Sequence, residues 1–213
     1  MKSIVVLISG GGTNLQAVID EIHNTDEPGQ ISAVISNKAD AYGLQRAQQA
    51  DIATHVFTFQ KGGSREAFDR EIMNQIDEYK PDLVVLAGYM RILSPEFVNH
   101  YMGRMINIHP SLLPEFKGLH THQRALDAKV PYHGASVHFV TPELDDGPVI
   151  IQGKVPVEAS DTAESLQKKV HVQEHVIYPT AIKWFCHDRL CMLDGKAYLD
   201  NKELDSAGNP IST

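Results

Sequence analysis

The sequence predicts an α/β fold: an open, mostly parallel twisted sheet with helices on both faces, extended by antiparallel strands in its C-terminal part. Three observations carry that expectation. Apolar runs of Val, Ile and Leu without polar alternation recur along the first half of the chain, as strands buried on both faces require. Segments with helical spacing separate these runs, which is the pattern of strand–helix–strand crossovers. Beyond His122 the pattern changes, and two apolar runs lie close enough in sequence to pair antiparallel.

The first strand is expected at Ser3–Ile8, followed by a helix over Asn14–Ile22 and a strand at Ile31–Ser36. A helix at Gly43–Gln49, a strand at Thr54–Phe57 and a helix at Arg65–Tyr79 come next. Leu83–Ala87 is a strand, Pro95–Tyr101 a helix and Met105–Ile108 a strand, with Pro110 forbidding further ladder bonds and leaving His109 as the last strand residue. A short helix around Gln123–Ala128 precedes strands at Ala135–Val140 and Val149–Val157. The longest helix runs from about Ala163 to Phe185; Asp161 is its expected N-cap, with Glu164 three residues on. Small polar residues from Asp205 to Thr213 read as a frayed tail. No repeat, linker or low-complexity block interrupts residues 1–213, so one domain is expected.

Composition narrows the function classes. With 19 Lys and Arg against 27 Asp and Glu, the net charge of −8 argues against nucleic acid and anionic membrane as partners. Small-molecule substrates are expected instead, handled by a monomer or weak homodimer. The apolar run Ile4–Ile8 is too short for a secretion signal, and no stretch reaches membrane-spanning length. Cys186 and Cys191 match no zinc or redox spacing, and a cytoplasmic setting is expected. Eleven histidines invite a metal reading, with His120, His122, His133 and His138 as the obvious cluster. No HExxH or paired cysteine accompanies them, so no metal is expected, and His120 and His122 are placed on a loop near the active edge.

Three motifs carry chemistry. Asn107 and His109 are two apart on one strand, so both project from the same face. A carboxamide can stabilise an oxyanion there while the imidazole moves a proton, which is what acyl or one-carbon transfer needs. Taken alone, the pair fits equally well a strand end that carries two polar residues into solvent. The loop Ser9-Gly10-Gly11-Gly12-Thr13-Asn14 lacks both the third small residue of a dinucleotide fingerprint and the Gly-Lys-Ser/Thr of a P-loop. It suits one phosphate, held by the N–H groups of Gly12, Thr13 and Asn14 and the Thr13 hydroxyl; the alternative is a glycine-rich turn that binds nothing. Asp145, in Leu144-Asp145-Asp146-Gly147-Pro148, is by composition a turn residue. Strand ends of a parallel sheet share one edge, however, and from such a loop an acid can reach His109 and hold it as a cation.

In order along the chain, the Ser-Gly-Gly-Gly-Thr-Asn loop, Met90-Arg91-Ile92-Leu93, Asn107-Ile108-His109-Pro110-Ser111-Leu112-Leu113-Pro114 and Leu144-Asp145-Asp146-Gly147 resemble the folate-dependent formyltransferases. The likeness runs from about residue 3 to 190 and implies a Rossmann-like formyltransferase fold. Among these enzymes the chain is most similar to the glycinamide ribonucleotide formyltransferases of purine biosynthesis. Its acidic balance sets it apart from the tRNA-acting members, which carry a further domain and a basic surface. A first strand at Ser3 sets it apart from the formyltetrahydrofolate deformylases, which place a small domain ahead of it.

The resemblance implies transfer of a formyl group from the co-substrate 10-formyltetrahydrofolate to the primary amine of glycinamide ribonucleotide, giving formylglycinamide ribonucleotide and tetrahydrofolate. It assigns Asn107, His109 and Asp145 to catalysis, and Gly12, Thr13, Asn14 and Glu174 to glycinamide ribonucleotide. It assigns Arg65, Met90, Arg91, Ile92, Leu93, Asn107 and Val140 to folate. His171, one turn before Glu174, stands where some members carry Gln near the phosphate. Two other classes stay open: a hydrolase releasing formate from the same folate, and a binding module without turnover.

Overall fold

The computed structural model describes residues 1–210, which divide into two compact units, Met1–Ile106 and a second from Asn107 onward. In the first unit β1 (Lys2–Ile8), α1 (Thr13–Ile22), β2 (Gly29–Ser36), α2 (Tyr42–Gln49), β3 (Ala53–Val56), α3 (Arg65–Glu78), β4 (Leu83–Leu86) and α4 (Pro95–His100) alternate as the apolar runs predict. The strands lie in the order β4-β1-β2-β3 and every pair is parallel, Ile4 standing beside both Ile31 and Leu83. Residues Ile4–Ile8 and all of β4 are buried, which is why neither run alternates. Ser64 and Ser94 cap α3 and α4, their hydroxyls accepting from Ala67 N and Phe97 N.

Parallel neighbours end at the same edge, so the loop after β1 and the loop after β4 emerge side by side. Near the end of the first unit Val84 N–H donates to Arg104 O at 2.9 Å, and the chain then enters β5 (Met105–His109).

The second unit adds α5 (Thr121–Asp127), β6 (Tyr132–Phe139), β7 (Val149–Pro156), α6 (Ala163–Cys186), β8 (Leu190–Leu193), β9 (Lys196–Leu199), β10 (Lys202–Glu203) and β11 (Asn209–Pro210). Its strands run in the order β5-β6-β7-β11, with β6 and β7 antiparallel as expected. Leu166, Val170, Glu174, Ile177 and Ala181 form the buried stripe of α6, at helical spacing. The helix lies close on β7, because a Cβ at Gly153 would stand 2.7 Å from Gln173 Cβ.

Three details differ from expectation. The N-cap of α6 is Thr162, not Asp161: its hydroxyl accepts from Ser165 N while Ser165 Oγ accepts from Thr162 N, a reciprocal box with Ser165 in the role looked for at Glu164. Asp161 instead accepts from Lys169 Nζ and Ser165 Oγ. His122 lies in the first turn of α5 and not on a loop. Within the stretch read as a tail, Asn209 and Pro210 run parallel to Ile151 and Gln152; residues 211–213 of that tail lie outside the described residues. No described helix is long and apolar enough to cross a membrane.

Candidate active site

The second unit brings Asn107, His109 and Asp145 together. Asn107 and His109 stand two apart at the end of β5, and His109 is 6% exposed. Its Nδ1 faces Asp145 Oδ2 at 3.4 Å, with both side chains buried, and its Nε2 donates to Phe116 O at 3.0 Å. Both ring nitrogens thus face oxygen atoms. Asp145 Oδ2 also accepts the Gly118 N–H at 2.9 Å. The acid reaches this position from a turn in which its own φ is +49°, a left-handed conformation that Asp tolerates better than most side chains. Gly147 follows because a Cβ there would lie 1.7 Å from Phe139 O.

A fourth residue joins them: His138 on β6, which the sequence offered only as a member of a metal cluster. Its Nδ1–H donates to Phe139 O at 2.9 Å, so the neutral ring presents only a lone pair at Nε2. Burial holds this ring well below the ordinary histidine range, the Phe139 carbonyl and the Asp145 carboxylate opposing that shift. The Nε2 lone pair accepts from Asn107 Nδ2 at 3.2 Å. That contact turns the NH2 end of Asn107 toward His138 and leaves its second N–H to donate elsewhere. The signal in the sequence was weak, since a His inside an apolar strand reads as core.

The other histidines behave differently. His133 Nε2 meets His122 Nδ1 at 3.2 Å, and burial with neighbouring imidazoles lowers both rings to about 4. The rings of His171 and His175 stack at 6.2 Å between centroids. Among the described residues no three His, Cys, Asp or Glu side chains are grouped so as to hold a metal ion. Glu174 is buried on α6, and Val140 directly follows β6.

In the first unit, Gly12 is the N-cap of α1 with φ +72°, and a Cβ on it would stand 2.6 Å from Gly43 Cα. Glycine is required there on both counts. No acidic side chain occupies the first turn of α1, whose leading N–H groups lack intrahelical acceptors, so the loop favours an anion. Thr13 is exposed and Asn14 half-buried. Arg46, unmarked in the sequence, donates to Gly11 O at 2.9 Å and to Gln16 Oε1 at 3.1 Å, adding positive charge beside the loop.

The segment after β4 is pinned by its main chain. Met90 N–H donates to Ser9 Oγ at 2.8 Å, and that hydroxyl donates to Asn37 Oδ1 at 2.5 Å. Arg65 Nη2 donates to Leu93 O. The Arg91 guanidinium lies 4.2 Å and 4.7 Å from the ring centroids of Phe59 and Phe68. Met90 and Ile92 are left 70% and 62% exposed, an apolar surface open to solvent among the described residues.

Residues 2–182 match the formyl transferase family. The chain is 57% identical over 206 residues to phosphoribosylglycinamide formyltransferase of Escherichia coli, covering 97% of each chain. It is 49% identical over 208 residues to the Haemophilus influenzae enzyme of the same name, covering 98% of each. A solved phosphoribosylglycinamide formyltransferase from Coxiella burnetii superposes with a TM-score of 0.94 at 52% identity, over 98% of both chains. The mixed, mostly parallel sheet is shared with the solved Coxiella burnetii protein, and the chain belongs to the formyl transferase family, within its phosphoribosylglycinamide formyltransferase branch.

Proposed function

We propose that the protein transfers the formyl group of 10-formyltetrahydrofolate to the primary amine of glycinamide ribonucleotide, a step of purine biosynthesis. The observation that carries this reading is the Asn107–His109–Asp145 set at the end of β5, in a chain whose relatives bear that enzyme's name. Two other features support it. The glycine loop suits a phosphate, and exposed Met90 and Ile92 suit the flat apolar face of a pterin. Glu174, Arg65, Arg91, Leu93 and Val140 keep the binding roles that the family pattern implies.

In this reading the substrate amine attacks the formyl carbon and the carbonyl electron pair moves to oxygen. Asn107 stabilises the oxyanion with the N–H that His138 leaves available, and the His109 imidazolium adds positive charge beside it. Asp145 sustains that charge and, through water, takes part in moving the proton lost by the amine. Collapse breaks the bond to the folate nitrogen, which receives a proton, so the net change is one formyl group exchanged for one hydrogen. Alignment of two substrates removes roughly 7–11 kcal/mol of barrier, an oxyanion donor about 3 kcal/mol, so positioning is the larger contribution.

The test is the absorbance change on loss of the formyl group, followed with and without glycinamide ribonucleotide. Turnover is expected only with the amine present. Equal turnover in water alone would reassign the site to a hydrolase.

A further inference from the structure

The reading above accounts for His109 and Asp145, but not for the irregular segment that grips both. Phe116 adopts φ +52°, an uncommon conformation for a bulky side chain, and its carbonyl accepts from His109 Nε2. Two residues on, Gly118 N–H donates to Asp145 Oδ2. A three-residue strap thus touches both members of the pair, through main-chain atoms alone. The strap itself is part of no helix or strand, so other contacts must hold it in place.

Two cations do. Arg124 on α5 donates from Nη1 to Lys117 O at 2.6 Å and to Leu119 O at 3.3 Å, with its guanidinium 5.6 Å from the Phe116 ring centroid. Lys117 Nζ pairs with Asp146 Oδ1, next in sequence to Asp145. The strap is therefore tied to the helix on one side and to the acid's own loop on the other.

We infer that Lys117 and Arg124 are positioning residues for the His109–Asp145 pair, acting through the backbone of Phe116–Gly118. The inference rests on the catalytic reading of that pair. Arg124 is exposed, and half-buried Lys117 pairs with an exposed Asp146, so their ion pair and hydrogen bonds stabilise the fold little. Their value is geometric: a displacement of about 1 Å at reacting groups costs up to about 10²-fold in rate.

The experiment is steady-state formyl transfer by Lys117→Ala, Arg124→Ala, Asp145→Asn and the reversed pair Lys117→Asp with Asp146→Lys, each with a thermal melt. For Lys117→Ala and Arg124→Ala, kcat is expected to fall about tenfold, with KM for both substrates and Tm nearly unchanged. The reversed pair is expected to recover most of the loss that either single reversal causes. Wild-type kcat with both alanine variants, beside an inactive Asp145→Asn, would overturn the clamp and leave the pair standing. A KM rise at constant kcat, a loss matched by a fall in Tm, or a reversed pair no better than its single variants would also overturn it. An active Asp145→Asn would instead remove the catalytic reading, and the clamp with it.

Discussion

Asn107 is held by a histidine that has a lone pair to offer and no proton, because the Nδ1–H of His138 is committed to Phe139 O. The amide is thereby oriented by chemistry as well as by shape. Asn107→Asp keeps the size but sets a carboxylate oxygen against that lone pair and removes the donor proposed to stabilise the oxyanion. A fall in kcat of about 10²–10³-fold is expected, with smaller changes in KM, from steady-state kinetics. Wild-type kcat in this variant would end the oxyanion role of Asn107. Asn107 and His109 were legible in the sequence because side-chain identity and a spacing of two carry their meaning. Phe116 and Gly118 were not, because they act through a carbonyl and an N–H that nearly every residue possesses.

At the scale of elements, β1 and β4 were legible for the same reason that they are buried: continuous Val, Ile and Leu leave no other reading. The hairpin of β8 and β9 was missed although Asp194-Gly195 between two apolar runs is a turn signal, with Gly195 at φ +75°. β11 could not have been read, since two residues become a strand only by lying on β7. The start of α6 at Ala163 was legible, but its N-cap was misplaced by one residue because Asp161, Thr162 and Ser165 all suit a helix entrance. The reciprocal Thr162–Ser165 bonds decide it. Thr162→Ala is expected to cost about 1 kcal/mol. In a chain of this size that lowers Tm by roughly 2–4 °C in a thermal melt. An unchanged Tm would show that Asp161, whose carboxyl Lys169 holds low at about 2, anchors the helix unaided.

For the whole molecule, buried His133 and His138 and half-buried His122 set a pH dependence. His122 and His133 titrate at about 4 in the folded protein and near 6.5 when unfolded, and His138 is shifted in the same direction. Between those values the unfolded chain binds protons that the folded chain refuses. Stability is therefore full above about pH 6.5, declines as pH falls toward 4 and levels off below. Denaturant melts at pH 7.5, 6 and 5 should show that decline, with a shallower slope in His133→Asn. A flat profile would mean that these rings are protonated at no cost.

The Ser9 hydroxyl stands between the glycine loop and Met90, donating to Asn37 and accepting from Met90 N–H. One oxygen thereby becomes a point of thermodynamic linkage. Whatever orders the loop after β1 also biases the segment after β4, and the influence is the same in both directions. With glycinamide ribonucleotide on one and a folate on the other, each ligand should raise the other's affinity by one common factor. That factor, measured by calorimetry in both orders of addition, should approach unity in Ser9→Ala; a factor untouched by the substitution would place the coupling elsewhere.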